Sequence, residues 1–94
     1  MSAEPVRFEQ TFVIRNELGL HARAATRFVQ VASRYSAEVE VERAGRRVNG
    51  KSIMGVLMLV ATKGAEIKVC GTGDDAVAAV SALGELIGNK FGED

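Results

Sequence analysis

Only one cysteine, Cys70, occurs in the 94 residues, so no internal disulfide can staple the chain. A lone free cysteine reads as a small packed side chain, here on a strand, and it fits a reducing compartment. Tryptophan is absent, and four Phe and one Tyr are the whole aromatic complement. A core must therefore be built from Val, Ile, Leu, Met, Ala and Phe. Neither sign of charge is in excess, with twelve Lys and Arg against twelve Asp and Glu. No basic block beyond Arg46-Arg47 stands out, which excludes the clustered footprint of a nucleic-acid binder. No apolar run approaches the roughly 20 residues that span a bilayer. The first five residues, MSAEP, are polar and acidic and make no signal peptide, so the expected location is cytoplasmic. With one histidine and one cysteine no metal site is expected, and no cofactor is implied. No internal repeat or low-complexity segment interrupts the chain.

Against these absences, hydrophobic residues make up 47% of the sequence, which excludes disorder. The length predicts one domain over residues 1–94, with 1–5 as a flexible tail. Such a chain buries roughly 60–70% of its unfolded surface, enough for one core.

Residues 6–15 (VRFEQTFVIR) read as a strand, with Val6, Phe8, Phe12 and Ile14 on one parity facing inward and Gln10 breaking the set. Residues 16–20 form a loop carrying Gly19. Ala25, Phe28, Val29 and Ala32 then recur at spacings of three and four, one stripe of a helix. Residues 37–42 (AEVEVE) alternate strictly, with Val39 and Val41 inward; Ala44-Gly45 turns the chain into a short strand over 46–48. Asn49-Gly50 is a further turn. Ser52 is a good N-cap for the apolar run 53–60, which reads as a short helix with Gly55 as a weak spot. Residues 65–71 (AEIKVCG) alternate again, with Ile67 and Val69 inward. Asp74-Asp75 begin a last helix, whose buried face is Val77, Val80, Leu83, Leu86 and Ile87 and whose end Phe91 staples down. The order β-α-β-β-α-β-α suits an α+β fold with three helices on one side of one antiparallel sheet.

The chemistry-bearing residue is His21, the only histidine, where the loop enters the first helix. The first N–H groups of a helix lack internal partners and carry about half a unit of positive charge. A phosphate is held by such amides. A neutral imidazole there is a nucleophile whose phosphorylated form meets a waiting positive end, and Arg23 can add a charge-assisted hydrogen bond. Phosphoryl transfer asks mainly for positioning and charge stabilisation, which a small protein can supply. The residues alone leave other classes open. The β-α-β-β-α-β core also suits a ferredoxin-like, non-catalytic regulatory binding module. Ser52 with His21 can be drawn as a hydrolase dyad, although no acid is evidently placed to orient the imidazole.

Gly19-Leu20-His21-Ala22-Arg23 followed by Ala24-Ala25, with Lys51-Ser52-Ile53-Met54-Gly55-Val56-Leu57 downstream, resembles the HPr family of the phosphoenolpyruvate-dependent phosphotransferase system. The likeness runs over residues 6–91. It implies the family's open-faced β-sandwich, a four-stranded antiparallel sheet with three helices on one face. It further implies a carrier, not an enzyme, that accepts a phosphoryl group on Nδ1 of His21 from enzyme I. The carrier passes that group to enzyme IIA-type domains, with the backbone amides of Ala22 and Arg23 and the Arg23 side chain holding the phosphate. Ser52 matches the serine that HPr kinase/phosphorylase modifies as a regulatory switch. Partner docking falls on Ile53, Met54 and Leu57, extended by Leu20 and Phe28. A monomer without membrane or nucleic-acid partners is expected. Arg27, Arg46 and Arg47 read as solvated charges. The sugar-uptake and nitrogen-regulatory branches both remain open. The chain departs from the family pattern at Ala24, where proline ordinarily presets the first helical turn; alanine keeps the helix and puts its rigidity in question.

Overall fold

Alternation of apolar and charged residues at period two can satisfy one buried and one wet sheet face, and this is how the strands are used. The computed structural model describes residues 4–93. Strands β1 (Arg7–Val13), β2 (Glu38–Arg43), β3 (Arg46–Asn49) and β4 (Glu66–Thr72) form one antiparallel sheet in the order β1-β4-β2-β3. Val39 and Val41 of β2 and Ile67 and Val69 of β4 are buried, while Glu38 and Glu40 are exposed. The register sets Val41 opposite Val69 and Phe12 opposite Ile67, so the apolar residues share one face. Helices α1 (Ala22–Ala32), α2 (Ile53–Leu57) and α3 (Ala76–Gly88) cover that face, giving the open-faced α+β sandwich.

α3 packs on the sheet and α1 packs chiefly on the other helices, each burying one apolar face. Ala24, Ala25, Phe28 and Ala32 of α1 are buried, as are Ala76, Ala79, Val80, Leu83 and Ile87 of α3. Gly71 of β4 lets α3 approach, since a Cβ there would lie 3.2 Å from the Ala76 Cβ. Cys70 is buried on β4, as a small packed side chain should be. Phe91, in a 3-10 turn over Lys90–Gly92, is wholly buried and closes the open end of the core. Asp75 accepts hydrogen bonds from the backbone N–H groups of Ser36 (2.9 Å) and Ala37 (2.7 Å). It thereby ties the start of α3 to the chain entering β2.

Several expectations are corrected. Val6 is 46% exposed, because β1 begins at Arg7 and the end of the sheet leaves its neighbour uncovered. Ile14 is buried, but beyond the strand, where its N–H bonds the carbonyl of Ala65. The run 53–60 is helical only to Leu57, and Val60 takes a left-handed φ of 49° that ends any helix. Val77 is 49% exposed; Ala76 and Ala79 take its place on the buried face of α3. Of the expected tail, residues 1–3 lie outside the described residues, and Glu4 and Pro5 are exposed without regular structure.

The largest correction concerns Leu20 and Phe28. Phe28 has no exposed surface and Leu20 retains 4%, so both belong to the core and neither side chain can meet a partner. The helical stripe that brings Phe28 toward the sheet also removes it from the surface. Phe28→Ala is expected to lower the unfolding free energy by about 3–5 kcal/mol, the ordinary cost of emptying a buried Phe site. Urea denaturation checks this, and a loss below about 0.5 kcal/mol, typical of surface positions, would return Phe28 to the docking face.

Candidate functional site

The loop before α1 is built on a close approach. Gly19 has φ 66°, and a Cβ there would sit 2.4 Å from the Ala61 carbonyl oxygen. Only glycine fits such a left-handed position pressed against another backbone. The next N–H, of Leu20, donates to that same Ala61 oxygen at 2.9 Å. Asn16 closes the turn from inside, its Nδ2 donating to the Gly19 carbonyl at 2.8 Å.

These contacts deliver His21 to the N-cap of α1, with extended backbone and no side-chain capping bond. The first helical hydrogen bond is Ala25 N–H to the His21 carbonyl, 2.8 Å. The N–H groups of Ala22 and Arg23 come before it and lack a carbonyl four residues back in the helix. Ala22 and Arg23 are themselves exposed, and the His21 side chain is 28% exposed. His21, Ala22 and Arg23 thus share one surface at the helix start.

Glu93 was not visible in the sequence. Its Oε2 lies 2.8 Å from Nε2 of His21, and its Oε1 accepts from Nδ2 of Asn16 at 3.0 Å. Burial pushes the Glu93 carboxyl up. Hydrogen bonds from Asn16 and His21, together with the charges of His21 and Arg23, outweigh burial and leave its pKa below the ordinary carboxylate value. An ionised carboxylate only accepts, so Nε2 carries the proton of this pair. Among the described residues Nδ1 has no hydrogen-bond partner. No local signal could have revealed Glu93, which stands 72 residues from His21 in an acidic tail without periodicity.

Arg27 is not a free surface charge either: its guanidinium donates to the carbonyl of Phe91. Arg23, Arg27, Glu17, Leu18, Gly92 and Glu93 line a shallow depression of about 480 Å³. Arg47, by contrast, pairs with Glu42 at 3.1 Å on the open sheet face.

Ser52 lies at a second helix start. Its Oγ accepts from the Gly55 N–H at 3.1 Å, capping α2, and a Cβ on Gly55 would press within 3.2 Å of the Asn49 carbonyl. Gly55 is therefore a fitted part of the cap and not a weak spot. Ser52 is bonded to its own helix and His21 to Glu93, so the two do not form a dyad, and the acid beside the imidazole belongs to His21 alone. Beside Ser52, Ile53 is 42% exposed, Met54 69% and Met58 51%. Leu57 is half-buried against the core. Leu18 and Val60 add exposed apolar surface. Among the described residues no group of three metal-ligating side chains is assembled, and no helix is long and apolar enough to cross a membrane.

A family model described as the PTS HPr component phosphorylation site matches residues 8–89. The chain is 49% identical over 85 residues to phosphocarrier protein HPr of Neisseria meningitidis serogroup B, covering 90% of this chain and 96% of that protein. It is 44% identical over 86 residues to phosphocarrier protein HPr of Xylella fastidiosa, covering 92% and 97%. The crystal structure of HPr from Thermoanaerobacter tengcongensis superposes with a TM-score of 0.89 at 46% identity, covering 93% of this chain and 98% of that one.

Ser52→Ala removes the α2 cap and leaves the Gly55 N–H without its acceptor. The expected outcome is a loss of about 1 kcal/mol in unfolding free energy, read from chemical denaturation.

Proposed function

The chain belongs to the HPr family of phosphocarrier proteins of the phosphotransferase system, and on that footing we propose that His21 is its phosphoacceptor. A family member is a carrier and not a catalyst, so its task is to present one group correctly to successive partners. In this reading the Nδ1 lone pair of His21 attacks the phosphorus presented by phospho-enzyme I. The N–P bond forms, the bond from phosphorus to the donor breaks, and its electron pair returns to the donor. The same exchange in the other direction hands the group to an enzyme IIA-type acceptor.

The observation that carries the reading is the placement of His21: at the N-cap of α1, partly exposed, with Nε2 engaged and Nδ1 without a partner among the described residues. A phosphoryl group on Nδ1 brings its oxygens to the start of α1. There the amides of Ala22 and Arg23 and the positive end of the helix act as donors, and the Arg23 side chain supplies a charge. Nothing further is asked of a carrier, because positioning and charge stabilisation dominate this chemistry.

Docking belongs to Ile53, Met54 and Met58, with Leu57 supporting them from below. Exposed methionines suit a surface that must fit more than one partner. Regulation belongs to Ser52, phosphorylated by an HPr kinase/phosphorylase. A phosphate there adds about two negative charges at a helix start that tolerates them, beside the apolar patch. Acidic partner surfaces are then repelled without unfolding the carrier.

Two measurements check these assignments. Purified protein incubated with phosphoenolpyruvate, magnesium and enzyme I from the same host should gain one acid-labile phosphoryl group by intact mass. His21→Ala should gain none. Absence of the gain in wild type would leave a binding module on this fold as the better reading. Ser52→Asp should accept the group from enzyme I more slowly than wild type, by roughly tenfold or more if about 1.4 kcal/mol of docking is lost; an unchanged rate would remove Ser52 from the regulation.

A further inference from the structure

Residues 89–93 form a strap that several contacts fix in place. Lys90 and Phe91 both take left-handed φ values, 57° and 56°, without being glycine. Such a conformation persists only where surrounding contacts over-determine it. Three contacts do so: Phe91 is fully buried, its carbonyl accepts from Arg27, and Asn16, itself fully buried, donates to Glu93. Both partners of the Asn16 Nδ2 group, the Gly19 carbonyl and Glu93 Oε1, are acceptors, so the orientation of the amide is fixed. The product of this arrangement is one contact, the carboxylate of Glu93 on Nε2 of His21 at 2.8 Å, with the Glu93 side chain only 12% exposed.

We propose that Glu93 is a positioning residue for phosphoryl transfer: by accepting the Nε2 proton of His21 it holds the tautomer and ring orientation in which the Nδ1 lone pair is free. The inference rests on His21 being the phosphoacceptor. When Nδ1 bonds to phosphorus the ring takes on positive charge, and it loses that charge when the group leaves. The carboxylate on the far side of the ring offsets the charge in both directions without giving up or taking the proton, as a buried acid does behind a catalytic imidazole. Because Nε2 and Nδ1 lie on opposite edges of the ring, the carboxylate stays clear of the incoming phosphate, whose charge meets the α1 amides and Arg23. Asn16 acts one step back. Its amide links the Gly19 turn that places His21 to the carboxylate that orients it.

The test uses the full chain, labelled with nitrogen-15 in histidine, as wild type, Glu93→Gln and Glu93→Ala. Ring nitrogen shifts and solvent exchange of the ring proton are followed by NMR, and phosphoryl acceptance from enzyme I is timed. Wild type is expected to show a single neutral tautomer, protonated on Nε2, with that proton slow to exchange. A glutamine has one oxygen where the carboxylate serves both Asn16 Nδ2 and His21 Nε2, so Glu93→Gln should keep the Nε2-protonated tautomer only in part and accept phosphate about tenfold more slowly. Glu93→Ala should lose the slow exchange and be slower than Glu93→Gln. Unchanged ring exchange in Glu93→Ala overturns the proposal, whatever the transfer rate does. Altered ring signals with wild-type transfer rates in both variants overturn it as well. If wild type itself accepts no phosphate while its ring signals are as expected, the carrier reading fails and the catalytic part of this role goes with it.

Discussion

The site depends on one backbone contact, the approach of Gly19 to the Ala61 carbonyl. Residues 16–20 must leave β1 and enter α1 in a single short turn, and they do so by docking on the segment that follows α2. The left-handed φ of 66° at Gly19 and the absence of a Cβ make the approach possible, and the Leu20 N–H then bonds the same oxygen. Everything functional is referenced to that point. His21 follows within two residues, Asn16 braces the turn from the core, and α1 starts where the turn stops. The two helix starts that bear His21 and Ser52 are connected through this contact, because Ala61 lies just beyond the end of α2.

Charge at the site is arranged across the imidazole. On one side stand the free amides at the start of α1, the positive end of the helix. On the other stands the ionised Glu93, whose pKa is held below the ordinary carboxylate value by Asn16, His21 and Arg23 against the opposing effect of burial. A ring that alternates between neutral and positive, as the proposed phosphoacceptor would, needs both. Amides alone would favour the phosphate but leave the ring charge unanswered, and a carboxylate alone would answer the ring and repel the phosphate. Part of the cost falls on the core, where Asn16, the one fully buried polar side chain among the described residues, leaves its Oδ1 without a hydrogen-bond partner.

Much of this was legible in local patterns, and the rest was illegible for definite reasons. The alternation in β2 and β4 and the stripe in α1 fixed which faces are buried, and the Gly-Leu-His step marked the helix start, because each is a signal carried by neighbouring residues. Ser52 was readable as a cap for the same reason. Glu93 was not, because its meeting with His21 is produced by the whole fold and by the strained turn at Lys90 and Phe91. Leu20 and Phe28 were misplaced because a resemblance locates residues near a docking face without saying which way their side chains turn; the apolar stripe of α1 already pointed Phe28 inward. The helix drawn over 53–60 was too long because hydrophobicity alone does not reveal the left-handed residue at Val60. Val77 was assigned to the core by its hydrophobicity, whereas the tight contact of α3 with Gly71 is made through alanine.

Ala24, where the family pattern has proline, can now be judged by its surroundings. Proline at this point stiffens a helix start by fixing φ and removing an N–H. In this chain the same turn is restrained by other means. Ala24 is fully buried, so the first turn is held by packing. The Thr26 hydroxyl donates to the Ala22 carbonyl at 2.8 Å, adding a bond inside that turn, and Ala25 N–H to the His21 carbonyl begins the helical ladder. Ahead of it, the docked Gly19-Leu20 step fixes the direction of approach, and beyond the ring, Glu93 fixes the side chain that the turn presents. A proline ring would constrain one backbone torsion. The contacts here constrain the loop, the turn and the imidazole together.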